Sequence, residues 1–204
     1  MAAVCPINLD RERLKAEVRA TYAQVAQNPE GDFHFHRGPK YAAEFLGYDL
    51  AELRALPATA TAPFAGVGNP FLMEQLPDGA TVIDLGSGAG MDCLLAGQRV
   101  GSAGRVIGID MTDAMLDRAR RGATEARLAQ VRFEKADITA LPVQPESVDI
   151  VISNGVINLL PDKTGVFSEL YRVVRPGGRL QFADIVIETE LSEDARNNID
   201  LWTG

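Results

Sequence analysis

Thr81-Val-Ile-Asp-Leu-Gly-Ser-Gly-Ala-Gly90 carries an apolar strand, broken only by Asp84, into a turn built on Gly86, Gly88 and Gly90, and Met91-Asp-Cys-Leu-Leu-Ala96 continues at once as a helix. Glycines at such a turn let the backbone reverse tightly and let a ligand lie against main-chain N–H groups at the helix N-terminus. Downstream, short apolar runs alternate with helical segments, the pattern of βαβ units that build a parallel sheet with helices on both faces. The runs predict strands at 81–85, 105–109, 131–136, 148–153 and 179–187, with helices near 91–100, 112–128 and 162–174. Thr112 and Asp162 stand as N-caps of the last two helices.

Upstream of the glycine turn, Leu14, Val18, Tyr22 and Val25 recur at helical spacing between Asp10 and Gln27, and Asn28-Pro29 stops the pattern. Gly31-Asp-Phe-His-Phe-His-Arg-Gly38 follows as an aromatic, imidazole-rich segment. A second short helix is predicted from Asp49, an N-cap with Glu52 three residues on, to Pro57. Residues 57–70, rich in Ala, Thr, Pro and Gly, read as a loop over the surface. The expected organisation is an N-terminal helical lid segment, 1–70, ahead of a core at 71–204, in one domain overall. A chain of 204 residues with 46% hydrophobic content can bury a core of that size.

The net charge of -8 works against nucleic acid or anionic membrane as a partner, since both require a basic patch. Small molecules or proteins fit better. Cys5 and Cys93 are the only cysteines and form no Cys-x-x-Cys or His/Cys cluster, so neither a disulfide framework nor a zinc site is expected, and the setting reads as cytoplasmic. No apolar run reaches the roughly eighteen residues of a membrane span, and Met1-Ala-Ala-Val-Cys-Pro6 has no signal-peptide character.

The spacing of the glycine turn discriminates between nucleotides. A dinucleotide fingerprint, G-x-G-x-x-G/A, would place a small residue at 91, where the chain has Met91. Asp84, two residues before Gly86, is instead the pattern for S-adenosylmethionine, with the carboxylate and the backbone of Gly86, Ser87, Gly88 and Gly90 receiving the methionine half. Asp110 ends the second strand 24 residues after Gly86, where a carboxylate can accept two hydrogen bonds from a ribose diol or cap the next helix. Met111 beside it can pack on an adenine face or fill the core. Asp137 can accept from the adenine amino group while the N–H of Ile138 donates to the ring, or it can cap a turn. Ser153-Asn-Gly-Val-Ile-Asn158 lies at the carboxyl edge of the fourth strand, where open α/β sheets bind ligands; Asn154 and Asn158 either orient an acceptor or satisfy backbone groups. His34 and His36 share a face if their segment is extended. They serve as lid histidines or as a base; no third ligand lies near them, so no metal is expected.

With these residues in place, the sequence resembles class I methyltransferases and specifically the arsenite methyltransferase family. The likeness runs from about Phe64 to Trp202 and rests on Gly68-Asn-Pro, the glycine turn, Asp92-Cys93, Gly108-Ile-Asp-Met-Thr112, Ser153-Asn-Gly-Val-Ile-Asn-Leu159, Pro161-Asp-Lys, Arg172-Val-Val-Arg-Pro-Gly-Gly178 and Ala183-Asp-Ile. It implies a Rossmann-like class I methyltransferase sheet and S-adenosylmethionine as cofactor. On this likeness Asp84, Gly86, Ser87, Gly88 and Gly90 belong with the methionine portion, Asp110 and Met111 with ribose and adenine, and Asp137 with Ile138 at the adenine edge, while Ser153 counts among the cofactor-binding residues.

The family holds trivalent arsenic on cysteine thiolates, soft ligands for a soft centre. Its Gly-Cys-Gly is Gly66-Val67-Gly68 here, and its Ser-Asn-Cys is Ser153-Asn154-Gly155. Donor chemistry with a replaced acceptor site implies a relative that methylates another small molecule, with Tyr22, His34 and His36 as candidates for acceptor contact or proton removal. The competing expectations are a non-catalytic nucleoside-binding protein that works through an interface, and an NAD-dependent oxidoreductase, which Met91 disfavours. The family sheet adds two strands after the fifth, for which some seventeen residues remain. A sheet shortened after its fifth strand, with an open edge paired in a homodimer, is therefore expected.

Overall fold

The computed structural model describes residues 11–160, 162–186, 188 and 192. Helices α1 (Arg11–Gln27), α2 (Gly38–Phe45), α3 (Leu50–Ala55) and α4 (Ala58–Thr61) precede a 3₁₀ turn at Pro70–Leu72. The βα alternation then runs β1 (Thr81–Leu85), α5 (Met91–Val100), β2 (Arg105–Asp110), α6 (Asp113–Glu125), β3 (Val131–Lys135), β4 (Val148–Asn154), α7 (Lys163–Val173) and β5 (Val174–Ala183).

The five strands form one sheet in the order β3-β2-β1-β4-β5, parallel throughout. β1 lies at its centre with β4 beside it, and their nearly unbroken buried runs are what a strand covered on both faces requires. Side chains alternate across that sheet. Val82, Val106, Ile150 and Ile152 pack on one face with Leu94, Leu95, Leu116 and Ala119 of α5 and α6. Ile83, Leu85, Ile107, Ile109 and Val151 pack on the other with Val166, Leu170 and Val173 of α7. Because β1 neighbours both β2 and β4, the chain reverses its direction of winding there. The carboxyl ends of β1 and β4 are the switch point at which such sheets leave a crevice.

Three expectations need correction. β5 starts at Val174, five residues ahead of the predicted 179, and its pairing jumps from Val148↔Val174 to Ile150↔Arg179. The intervening Arg175-Pro-Gly-Gly178 cannot ladder regularly, because Pro176 has no N–H and Gly177 holds φ +83°. Thr112 occupies the N-cap position of α6 without capping through its hydroxyl; its amide donates to Asp110 Oδ1 at 2.8 Å. The third concerns residues 57–70, expected over the surface. They contain α4 and bury Ala60, Thr61, Pro63 and Gly66. α2 was not legible either. The predicted end of the fifth strand at 187 and the helical pattern from Leu191 lie outside the described residues.

Elsewhere the local signals act as expected. Asp49 accepts from the amides of Ala51 and Glu52 at 2.6 and 3.1 Å, and Asp162 from that of Gly165 at 2.9 Å. A fourth correction is smaller: α6 stops at Glu125 and Arg127 takes φ +56°, which ends the predicted helix three residues early. Among the described residues β3 and β5 are the edge strands.

Candidate active site

One cleft opens over the carboxyl ends of β3, β2, β1 and β4 and is closed from above by α1 and the segment 63–66. Across the sheet its walls follow strand order: Ala136, Asp137 and Ile138 after β3, Asp110 and Met111 after β2, the glycine turn after β1, then Asn154, Gly155 and Val156 after β4.

The glycine turn is organised largely by its own hydrogen bonds. Ser87 N donates to Ile109 O at 2.9 Å, Gly90 N to Ser87 O at 2.9 Å, and Gly88 N to Asp110 Oδ2 at 2.9 Å. The three glycines answer different demands. A Cβ on Gly86 would meet Val156 at 2.5 Å and one on Gly90 would meet Phe133 at 2.7 Å, whereas one on Gly88 would meet nothing within 4 Å. Gly88, at φ +52°, is thus where the turn presents open backbone to the cleft. Ser87 Oγ is shielded beneath the turn, beside the Cys93 thiol and Gly108.

Four carboxylates line the cleft, and burial treats them unequally. Asp84 is 3% exposed, with Cys93 Sγ donating to its Oδ2 at 3.2 Å; burial, then the charge of Asp92, hold its pKa well above the ordinary carboxylate range. Asp92 is 5% exposed and accepts from Tyr48 Oη at 2.8 Å and Asn154 Nδ2 at 3.1 Å. Burial lifts it to about 6 against the opposing pull of those two bonds. Asp110 is raised by burial, an effect moderated by the amides of Thr112 and Gly88. At Asp137, burial is outweighed by the amide and hydroxyl of Thr139 and by Lys15 Nζ at 3.0 Å, and the pKa falls to about 2.

The structure brings together Asp84, Gly86, Ser87, Gly88, Gly90, Asp110, Met111, Asp137, Ile138, Tyr22 and Asn154 on this cleft. Tyr22 stacks on Phe35 with ring centroids 6.0 Å apart, and burial together with Asp110 pushes its hydroxyl up to about 12. That leaves it a neutral wall of the cleft at physiological pH. Ser153 is not brought in: it is buried beneath, its Oγ donating weakly to Leu85 O at 3.4 Å. His34 and His36 do share a face, but it is the exposed one; Phe33 and Phe35 turn inward, and His36 packs on Tyr41 and Phe45. The Asn158 side chain also misses the cleft, and its amide donates to Asp184.

Sequence reasoning gave no role in the site to Asp92, Tyr48, Pro63, Phe64 or Ala65. Asn154 is the hub that joins them: its Oδ1 accepts from the amides of Val67 and Gly68 at 2.8 and 3.1 Å, while Nδ2 reaches Gly68 O, Tyr48 Oη and Asp92 Oδ2. Gly66 must lack a Cβ because Asn154 lies against it. Val67 and Gly155, far apart in sequence, are neighbours, since a Cβ on Gly155 would lie 3.1 Å from Val67 Cγ1. Cys93 is fully buried, its thiol raised by burial and then by Asp84, and no cysteine or histidine among the described residues lines the cleft. No group of three or more metal-binding side chains occurs among the described residues.

A family profile described as "Methyltransferase domain" matches residues 76–203. The chain belongs to that family. Its fold is that of the class I S-adenosylmethionine-dependent methyltransferases. It is 44% identical over 79% of its length to an arsenite methyltransferase of Halobacterium salinarum, covering 41% of that protein. To the mouse arsenite methyltransferase it is 40% identical over 95% of its length, covering 53%. The chain thus spans about half the length of the curated relatives it matches. Among solved structures it resembles an arsenic(III) S-adenosylmethionine methyltransferase from Chlamydomonas reinhardtii, with TM-score 0.58 and 37% identity over 65% of this chain and 46% of that one.

Proposed function

We propose that this methyltransferase chain binds S-adenosylmethionine in the cleft above β1 and β4 and directs methyl transfer to a small-molecule acceptor. Charge carries the reading. Four carboxylates line the cleft and Lys15 is the one cation beside them among the described residues. A ligand bearing a sulfonium and an ammonium complements such a lining, whereas the pyrophosphate of a dinucleotide would be repelled by it. The open face at Gly88 fits a ligand group laid against the turn.

The residues divide by strand order. Asp137 and the Ile138 amide suit the adenine edge, Asp110 and Met111 the ribose and ring face, and Asp84 with Gly86, Ser87, Gly88 and Gly90 the methionine portion. When bound, the cofactor supplies a methyl group on a positively charged sulfur. The protein's own share is placement and exclusion of water, the work of the apolar wall of Val18, Phe64, Val156, Leu159 and Leu160. With Val67 and Gly155 side by side and no thiol on the cleft among the described residues, the acceptor end favours a molecule that brings its own nucleophile over a thiophilic metalloid held by the protein.

A cytoplasmic setting belongs to the same proposal and is supported by the acidic charge and by the absence of any described helix long and apolar enough to cross a membrane. So does pairing of two copies beside the β5 edge, where Tyr171, Ile185 and Val186 are exposed. A strictly monomeric mass at high concentration would overturn the pairing. Titration calorimetry tests the donor: S-adenosylmethionine is expected to bind and NAD not to, and no affinity for S-adenosylmethionine overturns the proposal. Transfer of labelled methyl groups from S-adenosylmethionine into a metabolite pool then tests catalysis and identifies the acceptor.

A further inference from the structure

Lys15, the one cation on the cleft among the described residues, has no role in the reading above. It stands in the second turn of α1, and its Nζ donates to Asp137 Oδ2 at 3.0 Å, joining the helix that closes the cleft to the segment after β3 across 122 positions of sequence.

Packing elsewhere on α1 puts the ammonium there. Near the end of the helix Val25 and Ala26 are buried with Ala89 and Met115, and Arg118 Nε donates to Ala26 O. From that anchor Leu14, Lys15, Val18 and Tyr22 recur at the spacing of successive turns and line the cleft. Lys15 thus arrives at Asp137 from a helix fixed about 16 Å away along its axis.

The two oxygens of Asp137 decide what the contact does. Oδ1 is taken by the amide of Thr139 at 2.9 Å and by its hydroxyl at 2.7 Å. Oδ2 is the oxygen left for a ligand, and Lys15 already donates to it. An adenine brings its amino group, a second donor, to the same oxygen, and an ammonium can offer that amino group nothing in return. A purine with a carbonyl at this ring position brings an acceptor instead, which the carboxylate repels and Lys15 receives. The side chains of the pair are 35% and 46% exposed, so Lys15 yields to a competing donor at a cost of a factor of about 5 or less in affinity.

We propose that Lys15 sets base specificity at this end of the cleft: it competes with an adenine amino group for Asp137 Oδ2 and supports a 6-oxopurine, and so narrows the preference for adenine that Asp137 alone would give. The inference rests on the donor-binding reading above, in which the base lies beside Asp137 and Ile138.

The probes are S-adenosylhomocysteine and S-inosylhomocysteine, in which a carbonyl replaces the amino group and a proton sits on the adjacent ring nitrogen. The two share one net charge near neutral pH, so a change in the overall field of the cleft moves both alike. Titration calorimetry on the whole chain compares wild type with Lys15→Met, which keeps an apolar stem beside Leu14 and Val18 and removes the ammonium. The adenosyl ligand should tighten by about 2–5-fold and the inosyl ligand weaken by about 2–5-fold, so the ratio of their affinities widens by about 4–25-fold. Lys15→Arg, which keeps a cation at the same place, should hold the ratio within about 2-fold of wild type. A ratio that stays constant or narrows in Lys15→Met, as a purely structural role for α1 would give, overturns the proposal; so does a ratio that widens as much in Lys15→Arg. Wild-type protein that binds neither probe overturns the donor reading instead.

Discussion

Gly88 and Gly90 show how one motif mixes two physical demands. Gly90 combines φ +90° with a Cβ position 2.7 Å from Phe133, so Gly90→Ala costs about 1–2 kcal/mol in backbone and about 1–3 kcal/mol more in overpacking. Gly88 has φ +52° and empty space, so Gly88→Ala bears only the first cost but fills the surface proposed to receive the cofactor. The expected outcome is a double dissociation: Gly90→Ala lowers the melting temperature more, and Gly88→Ala loses more nucleoside affinity. Equal losses on both measures would contradict the assignment. The spacing of Asp84, Gly86 and Met91 made this turn legible in the sequence. Asp92 was not, because nothing local announces that Tyr48, 44 residues before it, and Asn154, 62 residues after it, converge on its carboxylate. The available signal was an acid inside Met91-Asp-Cys-Leu-Leu-Ala96, a helix start whose every residue is buried. The placement of His34 and His36 was not legible for the complementary reason: alternation showed that they share a face, but only the inward packing of Phe33 and Phe35 decides which face that is.

Among the elements, α4, like α2, is one that local sequence could not specify. Four residues cannot show a helical period, and so short a helix is unstable alone. Its support is α6, where a Cβ on Gly122 would lie 3.2 Å from Ala60 Cβ and 3.5 Å from Leu94 Cδ1. Because α4 leads into the cleft wall at 63–66, this contact connects helix packing to the site. Gly122→Ala should be near neutral: about 1 kcal/mol gained in helix propensity offsets a contact relieved by a shift of a few tenths of an ångström. Gly122→Leu cannot be accommodated that way and should destabilise by about 1–3 kcal/mol, lowering the melting point by about 2–4 °C for each kcal/mol. It should also weaken nucleoside binding. Thermal melts with and without S-adenosylhomocysteine check both, and a Gly122→Leu protein with wild-type stability would show that α4 does not lean on α6. The sheet strands, by contrast, were legible because burial on both faces forces continuous apolar runs. Only β5 started elsewhere than predicted, since Pro176 and Gly177 disguise its bulged first half as a turn.

At the scale of the molecule, the ionisable groups set stability and binding against each other as pH falls. Asp92, lifted to about 6 by burial, takes up a proton in the folded chain at a pH where an unfolded aspartate, with a pKa near 4, stays charged. Asp84 and Asp110 are shifted in the same direction by the same cause. The folded state then binds more protons than the unfolded one, and stability rises as pH drops from about 7 toward 5. Relief of the net charge of -8 acts in the same sense. Below about 4 the sign reverses. Asp137, held down to about 2 because Thr139 and Lys15 outweigh burial, and Glu169, lowered chiefly by Arg172, stay ionised in the folded chain while the unfolded chain protonates. The ligand-free protein should therefore melt highest near pH 5, and Asp92→Asn should raise the melting point at pH 7.5 and flatten the rise on acidification. A cationic ligand needs the ionised carboxylates, so the stabilisation by S-adenosylmethionine should shrink over the same interval from pH 7.5 to 5. A melting point that falls steadily from pH 7.5 to 5, with an undiminished ligand shift, would mean that the buried carboxylates do not govern this cleft.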